Sequence, residues 1–396
     1  MKALIVGGGI AGPATALALA KVGVESVVLE RRTDAQADDG SYFSLAPNGV
    51  DALRVLDVFD LARDDGFPTR TNRMVGATGS FLGALSLGPS LDDGWVGLTM
   101  KRPHLASRLA AEASRRGVDV RTGVSVTSVG DHGDHVSATL DDGTVLRGDI
   151  LIGADGVRSL VRTAIDPTAP PARYVGLTNF GGITRATPLA ADLVPEAWEF
   201  VFGRRAFTGA HPTPDGDVVW FVNVPEPAIA RSVRAATTDD EWRAKLLELV
   251  ADDAGPMREL IAGGELELAG DNTYDLGHTP VWSRGRMIVI GDAAHAPSPS
   301  SGQGASLALE DAVVLAQSIR DTSSVQDAFA AFEKARRERV EKIVAAGARS
   351  SSSKVPGRIG RVFQDAILRL VFRYAVTESR VAWIGGSRID WDARVA

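Results

Sequence analysis

RMIVIGDAAHAPSPSSGQGA, residues 286–305, is the stretch that decides the fold of this chain. Met287–Ile290 is short, apolar and rich in β-branched residues, which predicts a buried strand. The strand ends in a carboxylate at Gly291-Asp292, and the glycine-rich loop Gly302–Gln303–Gly304 follows. Residues 305–316 are rich in helix formers, so the stretch predicts a strand, an acidic end, a loop and a helix.

This order is typical of a ligand site. Open α/β sheets hold ligands at the carboxyl ends of their strands, and the N-terminus of a helix favours negative charge. An Asp that binds hydroxyls beside such a helix end suits a flavin, which has a ribitol chain and a ring that becomes anionic on reduction. Taken alone, the same pattern also fits a buried strand, a turn and a helix with no ligand.

A second glycine-rich turn lies near the N-terminus. Residues 3–6 form an apolar strand pattern, and Gly7–Gly12 follows with the spacing G-x-G-x-x-G. Glu30 closes the next predicted strand, 18 residues after Gly12. This spacing is typical of a carboxylate that binds ribose hydroxyls in a βαβ dinucleotide fold, and Glu favours FAD or NAD. Arg31 and Arg32 either bind the adenosine moiety or are solvated.

A third predicted strand ends in the same way. The sequence after Asp149 runs ILIGADG, so Asp155-Gly156 follows a buried apolar run. A capped turn before a helix explains this motif equally well. Arg102 stands where another helix is predicted to begin, and it fits either a phosphate or ribose contact or a surface salt bridge.

Composition limits the classes of function. The chain has 396 residues, which predicts two or three domains, and a formal net charge of -7, which argues against general nucleic-acid binding. It has no cysteine, so disulfides, thiolate metal sites and a Cys nucleophile are excluded. No signal peptide and no transmembrane stretch are evident, so we expect a cytoplasmic protein without membrane insertion. No metal site is predicted.

The composition changes from about residue 174. Aromatic and β-branched runs separated by turns predict a β-sheet here, which is the candidate substrate domain. Its aromatic side chains and one histidine either line a pocket or form core. These candidates are Phe202, Phe207, His211, Trp220 and Phe221.

The three motifs, in this order, resemble those of class A flavoprotein aromatic monooxygenases with the para-hydroxybenzoate hydroxylase fold. The resemblance covers nearly the whole chain and is strongest to short actinomycete natural-product and tetracycline-inactivating members. It implies an α/β fold: a Rossmann-like FAD-binding domain of the glutathione reductase type, an inserted β-sheet substrate domain and a C-terminal helical tail. The expected FAD-binding domain comprises 1–70, 98–172 and 271–348, the substrate domain 71–97 and 173–270, and the helical segment 349–396. Within that last segment, 349–354 is predicted as a hinge and 359–376 as an amphipathic helix.

The resemblance also implies roles for individual residues. Three glycines approach the FAD pyrophosphate, Glu30 binds the adenosine ribose, and Asp292 binds the ribitol region. The loop before the last helix lies against the isoalloxazine ring, and its Pro299 also borders the substrate. The full set of implied cofactor-binding residues is Gly7, Gly9, Gly12, Glu30, Arg31, Arg102, Asp155, Asp292, Pro299, Gly302, Gln303, Gly304 and Ala305.

The implied reaction uses NAD(P)H and O2. Reduced FAD forms a C4a-hydroperoxide that oxygenates an aromatic, phenolic or polyketide-type small molecule, so no side-chain nucleophile is needed. Two alternatives stay open: a flavin-dependent reductase or oxidase of the same superfamily, and a non-catalytic flavin- or ligand-binding protein. We expect a monomer or a homodimer.

Overall fold

The computed structural model describes residues 1–33, 40–352 and 378–395. The strands are β1 Lys2–Val6, β2 Glu25–Leu29, β3 Tyr42–Leu45, β4 Phe67–Thr69, β5 Thr71–Gly76, β6 Phe81–Ser86, β7 Gly97–Lys101, β8 Asp119–Arg121, β9 Val126–Asp131, β10 Val136–Leu140, β11 Val145–Gly148, β12 Ile150–Gly153, β13 Arg173–Thr184, β14 Ala197–Phe202, β15 Phe207–Pro212, β16 Val218–Pro225, β17 Glu265–Asp275, β18 Ser283–Arg284 and β19 Met287–Val289. The helices are α1 Ala11–Lys21, α2 Pro47–Val55, α3 Phe59–Asp65, α4 Arg102–Arg115, α5 Leu160–Ile165, α6 Arg231–Ala236, α7 Asp239–Leu249, α8 Met257–Gly263, α9 Gly304–Asp321, α10 Val325–Ser352 and α11 Glu378–Gly385.

A six-stranded, mostly parallel sheet contains the N-terminal strand, in the order β18-β19-β12-β1-β2-β8. Strands β1, β12 and β19 are apolar and buried almost throughout. Such continuous apolar runs are needed where helices cover both faces of a parallel sheet. Helix α1 packs against β2 and α9, while α5 packs against β12 and β19.

The parallel register brings the sequence motifs to one edge of this sheet. Val6 pairs with Leu29 on one side and with Gly153 on the other, and Gly153 pairs with Val289. All four residues stand at the carboxyl ends of their strands. The glycine-rich turn after β1, Glu30, Asp155 and Gly291 therefore begin side by side, which is where open α/β sheets bind ligands.

A seven-stranded sheet has the order β17-β13-β16-β15-β14-β5-β6. Its neighbours are antiparallel, apart from the parallel pair β14 and β5. Both segments predicted for the substrate domain supply strands to it, and β17 continues past residue 270 to Asp275. Where the two domains divide stays a prediction.

The two faces of this large sheet have different neighbours. One face packs against α7 and α8 through an apolar cluster that includes Trp242, Leu246 and Leu260. The opposite face packs against Tyr42 of β3 and Phe67 of β4. Strands β3, β7 and β4 form a small antiparallel sheet in the order β3-β7-β4. The small sheet also packs against α2, so it lies between the large sheet and that helix.

Helix α10 runs without interruption through Ser352. The hinge predicted at 349–354 is therefore wrong over 349–352, because serine is only mildly unfavourable in a helix and the helix simply continues. The helix predicted at 359–376 lies outside the described residues. Among the residues that are described, no helix is both long and apolar enough to cross a membrane.

Candidate active site

The glycine-rich turn after β1 is shaped by close backbone contacts at two of its glycines. Gly7 has a φ of +110°, and a Cβ there would collide with the carbonyl of Ala154. A Cβ on Gly12 would collide with the carbonyl of Gly7. Gly9 differs, because a Cβ at this position would meet no atom within 4 Å. Gly7 and Gly12 thus hold the turn against its neighbours, while Gly9 borders open space.

Glu30 lies directly against this turn. Its Oε2 accepts a hydrogen bond of 2.6 Å from the N–H of Gly8, and its Oε1 accepts one of 2.9 Å from the N–H of Arg32. The Arg32 guanidinium also contacts Oε1, at 3.2 Å. Of the two arginines considered for an adenosine contact, Arg31 is exposed. The structure thus brings Glu30 to the predicted place and sets Arg32 rather than Arg31 beside it.

Asp292, Arg102 and Gly304 meet at the same edge of the sheet. Gly291 adopts a left-handed φ of +55°, which turns the chain after β19. The Asp292 carboxylate then lies 3.5 Å from Nη2 of Arg102, at the start of α4. A Cβ on Gly304, the first residue of α9, would stand 3.6 Å from Oδ1 of Asp292. A carboxylate, a guanidinium and a helix N-terminus thus converge where the cofactor is predicted.

The remaining loop residues have unequal surroundings. Gln303 is buried, and its Oε1 accepts a 3.0 Å hydrogen bond from Nδ2 of Asn48. Gly302 has a φ of +61° with open space around its Cβ position. Pro299 is exposed and begins a short 3₁₀ turn that packs against α10, and Ala305 is half-buried. Gln303 therefore fixes the loop to α2, whereas Gly302 and Pro299 present open surface.

Asp155 serves a local purpose in this fold. Its Oδ1 accepts a hydrogen bond of 2.5 Å from the Ser159 hydroxyl, and its Oδ2 accepts hydrogen bonds from the N–H groups of Leu160 and Val161, at 2.7 and 3.2 Å. These N–H groups belong to the first turn of α5, so the carboxylate caps that helix. Direct binding of a cofactor by Asp155 stays a prediction.

A cluster of aromatic side chains occupies the face of the large sheet that meets β3 and β4. Trp198, Phe200 and Phe202 alternate along β14 and therefore share this face. Phe207 of β15 and Phe221 of β16 lie beside them on the same face, with ring centroids 5.5 and 5.7 Å from that of Phe200. Phe200 and Phe221 are only half-buried, so their rings border open space.

His211 also lies on this face, but Trp220 does not. The His211 ring is 5.4 Å from Trp198 and 4.9 Å from Phe67. The indole of Trp220 packs against α8 on the opposite face, and its Nε1 donates to Thr184 at 3.0 Å. Neighbouring residues on a strand point to opposite faces, so Phe221 and Trp220 cannot share a pocket. The grouping of Trp220 with the other pocket candidates is therefore corrected.

Sequence reasoning missed Tyr42, Trp198 and Phe200. Alternation over 198–202 was the available signal, because it places three aromatic residues on one side of a strand. No pattern in the sequence indicated that this side would face β3.

A family model described as an FAD binding domain matches residues 1–346. This chain belongs to the FAD-binding domain family. It is 32% identical to the FAD-dependent urate hydroxylase of Klebsiella pneumoniae over 87% of this chain and 88% of that one. It is 31% identical to the 2-heptyl-3-hydroxy-4(1H)-quinolone synthase of Pseudomonas aeruginosa over 91% and 90%.

Solved structures agree with this assignment. Klebsiella pneumoniae HpxO complexed with FAD and uric acid superposes with a TM-score of 0.82 at 27% identity, covering 98% of this chain and 96% of that one. Salicylate hydroxylase, at 21% identity and a TM-score of 0.77, covering 100% of this chain and 97% of that one, shares the fold. The predicted class A flavin monooxygenase fold and the FAD cofactor are thereby confirmed, and the chain is a flavoprotein oxidoreductase.

The residues present fit FAD. The open space beside Gly9 admits a pyrophosphate close to the backbone, and the N-terminus of α1 lies directly behind it. Glu30 stands next to that turn, and Asp292 with the α9 N-terminus forms a second contact region at the same sheet edge. These residues would hold the two ends of the dinucleotide, while the roles of single residues remain proposals.

Behind the turn at Gly291 and the start of α9 lies a buried ion network that the sequence analysis did not detect. The carboxylate of Asp311 accepts hydrogen bonds from the N–H of Gly291 at 2.9 Å and from Nε of Arg336 at 2.7 Å, and it contacts Nε2 of His295 at 2.6 Å. Arg336 also bonds Glu310, which Arg339 and Asn48 contact as well.

This network sets the charge of Asp311. Burial alone would raise the pKa of Asp311, but the adjacent His295 and Arg336 outweigh it and hold that pKa at about 2. The ionised carboxylate is thus available to hold the Gly291 N–H, and so the network fixes the turn that carries Asp292.

Burial keeps His211 uncharged, whereas Asp311 is ionised. It lowers the pKa of His211 from 6.5 to about 4, because the ring lies in a nearly closed site where the charged form loses its hydration. Between those two values the unfolded chain binds more protons than the folded one. The free energy of unfolding should therefore fall as the pH is lowered from about 6.5 to about 4.

We expect His211→Gln to remove this pH dependence. The wild-type protein should lose on the order of 2–3 kcal/mol more than the variant between pH 6.5 and 4. Urea unfolding of both proteins at several pH values measures the difference, which should be constant above about pH 7. Parallel curves across the acidic range would show that His211 is protonated in the folded protein.

Proposed function

We propose that this flavoprotein is an NAD(P)H- and O2-dependent monooxygenase that hydroxylates a planar aromatic or polyketide-type small molecule. The observation that carries the proposal is the half-buried aromatic surface formed by Tyr42, Phe200 and Phe221. It lies beside β3, and the residue after that strand, Ala46, donates its N–H to Ser306 of α9. The aromatic surface and the proposed flavin-binding loop are thus joined by one short piece of chain.

The surface suits flat, uncharged ring systems. Aromatic side chains offer large apolar area and favour offset or edge-on stacking of another ring. Two relatives carry names of heteroaromatic compounds, urate and a 4-quinolone, which supports the same substrate class. Nearby charges are neutralised in pairs, such as Lys101 with Glu267 at 3.0 Å.

The chain's own residues would position the reactants and exclude water. When bound, FAD supplies the transfer of electrons from NAD(P)H and the activation of O2. Asp292 would fix the ribitol and hence the height of the ring, while the N-terminus of α9 favours negative charge beside it by about 0.3–1 kcal/mol. The aromatic side chains would keep the reacting face dry, which suppresses loss of the oxidant as peroxide.

Isotope labelling tests this function. A panel of phenols and hydroxyquinolines is screened for compounds that accelerate NADH- or NADPH-driven flavin reduction, and the product is then made under ¹⁸O2. We expect one labelled oxygen atom in the product. A reduced product with no added oxygen would instead indicate a flavin reductase, and bound flavin that neither nicotinamide reduces in the presence of any panel compound would indicate a binding protein.

The proposal predicts that Gly304→Val uncouples the reaction. A valine at this position adds methyl groups next to Asp292, where the ring is expected, so the ring shifts without loss of the distant adenosine contacts. Product formed per NAD(P)H oxidised should fall about 10- to 100-fold, since misplacement by about 1 Å costs that much. Peroxide release should rise to match.

Gly277→Val provides the matched control. Gly277 is exposed and lies outside the loop, and a Cβ there meets no atom within 4 Å, so a valine at this position contacts neither Asp292 nor the proposed ring site. Its coupling should equal that of the wild type. Full FAD binding together with unchanged coupling in Gly304→Val would show that this loop does not touch the reacting face.

A further inference from the structure

A chain of hydrogen-bonded side chains crosses from the large sheet to β3. Nε2 of His211 lies 3.0 Å from the hydroxyl of Thr69, which is 2.7 Å from that of Thr99. The Thr99 hydroxyl lies 3.0 Å from that of Ser44. Nε1–H of Trp198 is shared between Ser44 at 2.9 Å and Thr99 at 3.0 Å. Three side-chain hydrogen bonds thus connect His211 on β15 to Ser44 on β3, by way of Thr69 on β4 and Thr99 on β7.

His211 fixes the direction of every proton in this chain. Its Nδ1 lies 2.8 Å from the carbonyl oxygen of Pro212, which can only accept, so Nδ1 carries the proton. Because the ring is neutral, with its pKa lowered to about 4 by burial, Nε2 is an acceptor. Thr69 must then donate to His211, Thr99 to Thr69, and Ser44 to Thr99.

The reverse direction is excluded by the same contacts. A proton on Nε2 would leave the Nδ1 lone pair directed at the Pro212 carbonyl, and two buried acceptors facing each other lose a hydrogen bond. His211, Thr69 and Thr99 are almost completely buried, so no water is required to complete their bonding. Ser44 therefore donates inwards to Thr99 and accepts from Trp198, which leaves one lone pair of its oxygen unused.

That lone pair is at the open end of the chain. Ser44 is half-buried, whereas the other four members have exposed fractions of 3% or less. Tyr42, two residues earlier on the same face of β3, belongs to the half-buried aromatic surface described above. Two residues after Ser44, Ala46 bonds to α9. Along the chain, Ser44 thus stands between a residue of the aromatic surface and a residue that is bonded to α9, the helix that follows the proposed flavin-binding loop.

We propose that Ser44 Oγ accepts a hydrogen bond from the substrate, and that Thr99, Thr69 and His211 hold it in that role. The substrate is then a planar aromatic molecule with an O–H or N–H donor at the edge that meets Ser44. This inference rests on the proposed function for the location of the substrate. Ser44 is the binding residue, and the other three act through it as positioning residues.

A ligand that offers only an acceptor at that edge should bind less well than one that offers a donor. Ser44 can serve it only by turning its hydroxyl away from Thr99, which breaks that hydrogen bond. In Thr69→Val the Thr99 hydroxyl has lost its acceptor and can turn to Ser44. Ser44 is then free to donate to the ligand at no cost, so the variant should accept either kind of ligand.

Binding of two probes to the FAD-loaded protein, measured by calorimetry, tests the proposal. The probes are 1-naphthol, which is a donor, and 1-methoxynaphthalene, which offers only an acceptor. The ratio of their dissociation constants in each variant is divided by that of the wild type, so differences in probe size and hydration cancel. The donor preference of the wild type should shrink about 3- to 10-fold in Thr69→Val, His211→Leu and Ser44→Ala.

Two further variants distinguish an effect of hydrogen-bond direction from general damage to the structure. His211→Gln keeps an acceptor near the position of Nε2 and should retain the wild-type preference. Thr208→Val makes the same replacement as Thr69→Val, at a buried threonine on the opposite face of the sheet, and it should change nothing. An unchanged preference in Thr69→Val and Ser44→Ala, or a wild type that binds both probes equally or neither, overturns the proposal. Because binding is measured without turnover, absence of labelled oxygen in a product would disprove the function and leave this result standing.

Discussion

Arg336→Met should lower the free energy of unfolding by about 3–5 kcal/mol, because it removes a buried counter-charge that two buried carboxylates share. Arg336 is 3% exposed and bonds both Glu310 and Asp311. Methionine fills much of the same volume, so the loss reflects charge rather than a cavity. Arg339 still contacts Glu310 and His295 still contacts Asp311, so each carboxylate loses one of its two cationic partners.

The same change should weaken FAD binding, although Arg336 lies behind the loop. Asp311 holds the N–H of Gly291, and the turn at Gly291 carries Asp292. Urea unfolding of the apoprotein and FAD titration measure the two effects separately. Arg115→Met is the control, since Arg115 forms a close ion pair with Glu112 on the exposed side of α4, and it should leave both quantities unchanged. A stable Arg336→Met apoprotein would mean that the network contributes no net stability.

Gly9→Val should reduce FAD affinity by at least about 100-fold, or roughly 3 kcal/mol, because its side chain would occupy the space through which the pyrophosphate approaches the backbone. The protein itself should tolerate the change. Gly9 has no left-handed φ, and its Cβ position is free of neighbours. The apoprotein should therefore unfold at the wild-type urea concentration.

Gly12→Ala, in contrast to Gly9→Val, should lower the stability of the apoprotein. Its Cβ would collide with the carbonyl of Gly7, which belongs to a rigid turn, so the apoprotein itself should be destabilised. Gly277→Val, in open space far from the turn in sequence, should affect neither stability nor FAD. If Gly9→Val retains FAD with wild-type affinity, the phosphates do not pass this residue, and the assignment of the turn is wrong.

The sequence predicts the structural feature behind one of these predictions but not the feature behind the other. The turn at Gly9 could be predicted, because the strand, the three spaced glycines and the helix are consecutive and each has its own conformational preference. The Asp311 network could not be predicted, because Glu310 and Asp311 look like ordinary helix residues and their partners His295, Arg336 and Arg339 are 16 to 29 residues away. Charged residues this far apart in sequence come into contact only when α9 and α10 pack together, and the sequence does not show that packing.

The sequence by itself determined the parallel sheet and the cofactor edge. Apolar runs that end in glycine or a carboxylate specify strand, turn and helix through local propensity, and the rules of α/β sheets then place the strand ends together. Only the tertiary structure decided which aromatic residues lie on the face of the large sheet that meets β3. Alternation tells which residues of a strand share a face, but the face that meets β3 is chosen by packing between distant segments. For this reason Trp220 turned towards α8 and Phe221 towards β3. The same packing brought His211, Thr69, Thr99 and Ser44 into one hydrogen-bonded chain from four separate strands.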